Sequence, residues 1–251
     1  MQYIASRSFG KDSIATVLLA LEKGEPLDAV LFCEVMFDHA RGISGEIPEH
    51  IEWVYKKAIP TFARLNVPTI VVRAETDYVT HFYHVRVRGK SKGKRSGFPL
   101  GGRCVIGRDC KVRAIKKHLK TYTDDVTQYI GIAIDEPKRL QRLKGNNISL
   151  LAKYGYTEQM AMDLCRKYDL VSPIYETGTR GGCWFCPNTT IPTFAQLREN
   201  HPELWQELET LSHADNLCAQ SFKWGLTFGE VNRKIDDHLK KHAAQLTLFN
   251  K

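Results

Sequence analysis

Six residues, Ser8-Phe9-Gly10-Lys11-Asp12-Ser13, join an apolar run to an apolar helical stripe. Gln2 to Ser6 leans apolar and reads as a buried strand. Ile14, Val17, Leu18 and Leu21 then recur at helical spacing until Lys23-Gly24 supplies a stop. A strand that turns into a helix through a glycine presents unpaired N–H groups and the positive end of the helix dipole, the surroundings an anion needs. Gly10 lets the backbone approach a phosphate, Ser8 and Ser13 offer hydroxyls, and Lys11 adds charge. A plain helix start, with Asp12 or Ser13 as N-cap after a glycine turn, uses the same residues.

The pattern repeats downstream. Ala29 to Phe37 is apolar and β-leaning. Ile47, Ile51, Val54, Tyr55, Ala58 and Phe62 form one helix stripe, which Pro60 kinks or ends. Val67 to Val72 and Tyr129 to Ile134 read as further strands. Strands alternating with helices predict an α/β fold, a mostly parallel sheet flanked by helices. Helices are expected from Thr157 to Tyr168 and from Pro202 to Leu211. Thr227-Phe228-Gly229-Glu230 matches a capping box ahead of Val231, Ile235 and Leu239. The expected organisation is a nucleotide-binding domain over 1–190 and a small helical region over 191–251, with no clear linker between them.

Tyr78 to Arg103 breaks the rhythm. Five glycines among basic residues make it a long loop or β-excursion, an insertion over about 78–103. From Tyr78 to Arg108 there is no Asp or Glu, while Arg86, Arg88, Lys90, Lys92, Lys94, Arg95, Arg103 and Arg108 are basic. Without those eight, Lys and Arg would balance Asp and Glu, so the net charge of +8 is one local feature. It suits a nucleic acid or another phosphate-rich partner through the 86–95 loop, or serves only as a solvated surface.

No apolar run approaches the roughly 20 residues of a membrane span, and the N-terminus lacks a signal-peptide pattern, so the cytosol is expected. Seven cysteines do not close a disulfide framework. Cys183 and Cys186 have the spacing that turns two thiolates toward one centre, and Cys104 and Cys110 supply a second pair. The cations Arg103, Arg108, Lys111 and Arg180 would lower their thiol pKa values. Four thiolates suit a four-iron cluster or zinc, and four free thiols remain the alternative. Cys33 and Cys165 read as core residues, and His238 with His242 as a solvated helix face.

The string from Ser8 to Ser13 resembles the Ser-x-Gly-x-Asp-Ser signature of PP-loop (adenine nucleotide alpha-hydrolase-like) enzymes, with Phe9 where glycine is commoner. Three further stretches resemble motifs of the phosphoadenosine phosphosulfate reductase-like family. These are Tyr129 to Arg139, which includes Asp135-Glu136-Pro137-Lys138-Arg139; Gly102-Arg103-Cys104 with Lys111-Val112-Arg113; and Arg180-Gly181-Gly182-Cys183-Trp184-Phe185-Cys186-Pro187. The resemblance covers most of 1–190. It implies a sheet of five or more strands and a loop, Ser8, Phe9, Gly10, Lys11, Asp12 and Ser13, that holds ATP or an adenylyl-sulfate nucleotide. It also implies Mg2+ as charge partner and Lys11, Asp135 and Arg139 as catalytic residues. Reductases of the family attack with a cysteine in a C-terminal Glu-Cys-Gly-Leu motif, but residues 227–251 contain no cysteine. Three functions follow as expectations: adenylylation by ATP for sulfur transfer, reduction of an adenylyl sulfate, and non-catalytic nucleic-acid binding. The resemblance to sulfonucleotide reductases and to phosphorothioation enzymes, some of which carry four-iron clusters, favours the cluster over zinc.

Overall fold

The computed structural model describes residues 1–100, 104–176 and 181–249. In chain order its elements are β1 (Gln2–Arg7), α1 (Lys11–Lys23), β2 (Ala29–Cys33), β3 (Met36–Asp38), β4 (Ile43–Ser44), α2 (Pro48–Trp53), α3 (Ile59–Arg64), β5 (Thr69–Val72), α4 (Tyr78–Tyr83) and α5 (Arg113–Leu119). There follow β6 (Val126–Ile130), α6 (Pro137–Leu140), β7 (Asn147–Ile148), α7 (Leu150–Lys153), α8 (Glu158–Lys167), α9 (Ile191–Asn200), α10 (Pro202–Ser212), β8 (Ser221–Lys223), β9 (Leu226–Thr227) and α11 (Phe228–Phe249).

The main sheet has the order β5-β2-β1-β6-β7, and every pairing in it is parallel. The fold is therefore α/β with a mostly parallel sheet flanked by helices. Alternate residues of the central strands feed opposite faces, as the strand period requires. Ala5, Val30 and Phe32 pack under α1 and α8, whereas Ile4, Ala29 and Leu31 pack with Ile115 and Leu119 of α5. Burial on both faces explains the continuous apolar run of β2. No helix among the described residues is long and apolar enough to cross a membrane.

Several elements differ from expectation, each for a local reason. The run from Ala29 to Phe37 is two strands, because the chain leaves the sheet after Cys33 and β3 pairs antiparallel with β4. Pro60 does not end its helix, which runs on to Arg64. A wider π turn, Val54–Ala58, precedes α3 and accommodates the proline that cannot donate back to the previous turn. The strand expected at Tyr129 to Ile134 ends at Ile130, so residues 131–134 belong to the loop that follows. The segment expected as loop from Tyr78 begins as α4, capped by Asp77, whose carboxylate accepts the Thr80 N–H at 2.7 Å. The helices expected near 157–168, 202–211 and after 227 are α8, α10 and α11.

A second, aromatic-rich core lies beside the sheet. It joins Phe37, Tyr78, Phe82, Phe98, Trp184 and Phe185 to Phe194, Trp205, Phe222 and Phe228. Its residues come from both sides of position 190, so the C-terminal helices share their core with the middle of the chain. Each such buried aromatic contributes about 2–3 kcal/mol by burial.

Candidate nucleotide site and cysteine constellation

The loop after β1 opens at the carboxyl end of the central strand. β2 and β5 lie to one side and β6 and β7 to the other, so the loop occupies the switch point where open α/β sheets bind ligands. The loop after β6 meets it there. A Cβ on Gly131 would stand 2.8 Å from the backbone of Asp12 and Ser13, so only glycine permits this approach.

Phe9 was expected to contact the cofactor. Its side chain instead turns inward, 0% exposed, edge-on to Phe32 at 5.1 Å and stacked on Phe62 at 6.0 Å. Its φ of +55° lies in the left-handed region, the reason glycine is the easier residue here. Gly10 has an ordinary φ of −73°, and what it supplies is space: a Cβ would meet the Tyr175 hydroxyl at 3.2 Å. The Ser13 hydroxyl donates to the Gly10 carbonyl at 2.8 Å, and the Lys11 N–H donates to Tyr175 Oη at 2.9 Å. Ser8 is exposed at the loop's tip.

His50 holds the loop from beneath. Its Nε2 lies 3.0 Å from the Ser8 carbonyl and its Nδ1 2.8 Å from the Ser172 hydroxyl. A carbonyl only accepts, so Nε2 carries the proton and Nδ1 accepts from Ser172. Burial pushes the His50 pKa down, which keeps the ring neutral.

Beside the loop the side chains crowd three carboxylates. Asp12, Glu136 and Glu158 each offer an oxygen within 4.8 Å of the others. Lys11 Nζ lies 2.7 Å from Asp12 and 3.5 Å from Glu158. Arg139 donates to Glu136 at 2.7 Å. Burial pushes the Asp12 carboxyl up, with Glu158 and Glu136 adding to it against Lys11. Burial opposes charge on Lys11 too, but Asp12 and Glu158 outweigh it and raise its pKa. A set of oxygen donors around a phosphate loop fits a hard divalent cation such as Mg2+. Asp135, expected in a catalytic role, accepts the Glu158 N–H at 3.1 Å and so caps α8. Glu158, Tyr175, His50 and Gly131 were not picked out from the sequence. Glu158 reads there as an ordinary acidic residue in a first helical turn, and the others carry no local signal.

The cysteine knuckle docks on β4. Gly45 donates to Val35 and accepts from Trp184 N–H at 3.1 Å, and the Trp184 indole donates to Ser44 at 2.9 Å. Cys186 N–H closes a turn onto the Cys183 carbonyl at 3.1 Å. Lys223 clamps the next turn, with Nζ 2.8 Å from the carbonyls of both Pro187 and Thr189. Cys104 accepts the Gly107 N–H at 3.2 Å. Burial pushes the Tyr78 phenol pKa well up. Cys110 is fully buried, and its carbonyl accepts the Cys33 thiol at 3.4 Å.

The expectation that nearby cations lower the thiol pKa values fails where shifts are resolved. Burial pushes Cys110 up to about 12 and raises Cys183, with Lys111 only a smaller opposing influence on Cys183. Arg103 and Arg180, also expected there, lie outside the described residues, as does Gly102. Among the described residues, Cys104, Cys110, Cys183 and Cys186 do not stand within the 4.8 Å separation that one ion would need.

The basic segment is pinned rather than loose. Val85 pairs with Arg95, and Arg86 and Lys94 exchange a backbone hydrogen bond of 2.9 Å. Arg95 also pairs with Leu217 and forms an ion pair with Asp215. Arg86, Arg88, Lys90, Lys92 and Lys94 remain exposed, without ion pairs among the described residues. Two cavities flank the cysteines. One of about 550 Å³ lies between the knuckle and α9, and one of about 420 Å³ lies at the root of the basic hairpin.

No family model matches the chain. No curated protein matches it. Among solved structures, the U34-tRNA thiolase NcsA from Methanococcus maripaludis, with its [4Fe-4S] cluster, is similar at 16% identity and a TM-score of 0.42, over 87% of this chain and 74% of that one.

Proposed function

We propose that this chain is a PP-loop enzyme that activates an acceptor with ATP for sulfur transfer. One observation carries the reading: the 8–13 loop and the carboxylates Asp12, Glu136 and Glu158 meet at the switch point of a parallel sheet. In this reading the first-turn N–H groups, Ser8 and Ser13 hold the phosphates of ATP, and Lys11 balances their charge. The three carboxylates would hold Mg2+, which supplies further charge neutralisation. Arg139 orients Glu136, and Asp135 orients Glu158 through the helix it caps. An acceptor oxygen attacks the α-phosphorus and pyrophosphate leaves. Sulfur then replaces the adenylylated oxygen as AMP departs.

Cys104, Cys110, Cys183 and Cys186 are the thiols we assign to an iron–sulfur group. Such a group would supply the sulfur-handling chemistry, and the reducing cytosol would preserve it. The acceptor is assigned to a nucleic acid that the 86–95 hairpin engages.

The test is turnover of ATP to AMP and pyrophosphate, with Gly10→Val as the variant that fills the loop. Retained ATP affinity in Gly10→Val would remove the assignment. Sulfite release from an adenylyl sulfate would replace it with the reductase reading, and nucleic-acid binding with no ATP binding or turnover would replace it with the binding-module reading. Protein prepared without oxygen should be brown and contain iron. Cys183→Ser should bleach it, and Cys110→Ser tells three ligands from four. Colourless protein with stoichiometric zinc would exclude the cluster.

A further inference from the structure

Two residues that line one cavity each carry a buried polar atom without a partner among the described residues. Tyr78 Oη, on a side chain 1% exposed, and His81 Nε2 have no hydrogen-bond partner among the described residues. The nearest carboxylate oxygen to His81 Nε2, on Asp109, is 3.6 Å away, beyond hydrogen-bonding range. Buried polar groups are rarely left unpaired, because each costs stability until something bonds it. Tyr78 and His81 both line the 420 Å³ cavity, together with Phe82 and Phe98. Its volume is in the range of small-molecule sites, and its aromatic lining suits a flat ring.

The charges around it favour a strand over a lone nucleotide. Arg86 and Arg108 line the cavity. Beyond it Arg88, Lys90, Lys92 and Lys94 continue outward along the hairpin, exposed and without ion pairs among the described residues. Asp109, the acidic residue in the lining, is already engaged by Arg108 at 2.7 Å and Arg113 at 3.0 Å. A single phosphate would use only the cations at the mouth, whereas a chain of phosphates would use the whole hairpin.

We propose that this cavity receives one unstacked base of a single-stranded nucleic acid whose backbone follows the 86–94 hairpin, with Tyr78 Oη and His81 Nε2 hydrogen-bonding the base edge. This location rests on the sulfur-transfer reading for its purpose, but not for its binding.

The experiment uses the full chain and a fluorescein-labelled single-stranded oligonucleotide carrying one 5-iodouracil. Anisotropy gives affinity against salt, and photo-crosslinking followed by peptide mapping gives the position of the base. Salt-sensitive binding is expected, with crosslinks in 78–98 that include α4. Replacing Lys90, Lys92 and Lys94 by Ser should make the salt dependence shallower. Thr80→Trp, at an exposed position on the cavity wall, should abolish the α4 crosslink. Tyr78→Phe should weaken binding about fivefold without lowering Tm, because it removes a hydroxyl that has no partner in the free protein. A merely structural tyrosine would leave affinity unchanged, and that result overturns the proposal. So do crosslinks confined to 86–94 or falling in the 183–201 cavity, and so does uridine monophosphate binding as tightly as the strand. ATP titration in parallel separates the two readings. Oligonucleotide binding without ATP binding sinks the enzyme and leaves the cavity, whereas ATP binding without these crosslinks does the opposite.

Discussion

The two candidate sites carry opposite charge and are held in opposite ways. At the sheet edge, Asp12, Glu136 and Glu158 crowd together and are balanced by Lys11 and Arg139. At the hairpin, Arg86, Arg88, Lys90, Lys92 and Lys94 stand exposed without ion pairs among the described residues, and Arg95 alone pairs with Asp215. A polyphosphate at the first site therefore needs an added cation, whereas a polyanion at the second needs none. The first site is positioned by main chain, through a parallel ladder and the close approach of Gly131 to α1. The second is positioned by aromatic packing among segments far apart in sequence. Damage to the first should spread through the sheet core, and damage to the second should stay local.

The largest expected effect tests that claim at Phe9. Phe9→Ala removes a buried ring and leaves a non-glycine residue at φ +55°. It should cost about 3–5 kcal/mol in denaturant unfolding. Phe9→Gly loses the same ring but relieves the left-handed backbone, so it should be more stable than Phe9→Ala by about 1 kcal/mol. Equal stabilities would mean the loop is not conformationally strained. Gly131→Val comes next. Its Cβ meets main chain at 2.8 Å, which cannot rotate away, so a loss of about 3 kcal/mol accompanied by lost ATP binding is expected. Loss of stability with ATP affinity intact would separate the 131–139 loop from the nucleotide site.

His50 sharpens the comparison through pH. Its folded-state pKa is lowered by burial, so above the unfolded value of about 6.5 both states are neutral and its contribution is complete. As pH falls from there through the lowered folded pKa, the unfolded chain takes up a proton first and stability drops. His50→Gln should flatten that part of the stability–pH curve. An unchanged slope in the variant would place the acid sensitivity elsewhere.

How much of this was legible follows from the same contrast. β1, the loop and α1 are contiguous, so period, glycine and polar residues announced them together. The parallel α/β class was legible for the same reason. The inward turn of Phe9 was not, because a left-handed φ leaves no mark on a residue's identity. Glu158 reaches the loop only because α8 packs on α1, and the hydrogen bond from the Glu158 N–H to Asp135 could not be read from the sequence. The extra strand residues expected after Ile130 were apolar for a different reason: Ile132 and Ala133 are buried in a loop. At the second site the cysteines were visible as spacing. The separation of Cys110 from the others in burial, and the orphaned hydroxyl of Tyr78, depend on tertiary packing alone.

The smallest expected effect lies in the second region, where the sequence motif and the geometry agree. Thr227 and Glu230 form a reciprocal cap: the Glu230 carboxylate accepts the Thr227 N–H at 2.7 Å, and Thr227 Oγ1 accepts the Glu230 N–H at 3.3 Å. Thr227→Ala deletes the hydroxyl half of that box and should cost about 1 kcal/mol. α11 contributes Phe228, Val231 and Ile235 to the aromatic core. If the two regions are held independently, amide exchange should quicken in the first turns of α11 and in its aromatic neighbours, while ATP affinity at the 8–13 loop stays as it was. A parallel fall in ATP affinity would show that the two cores behave as one cooperative unit, and the contrast drawn between them would then describe geometry but not energetics.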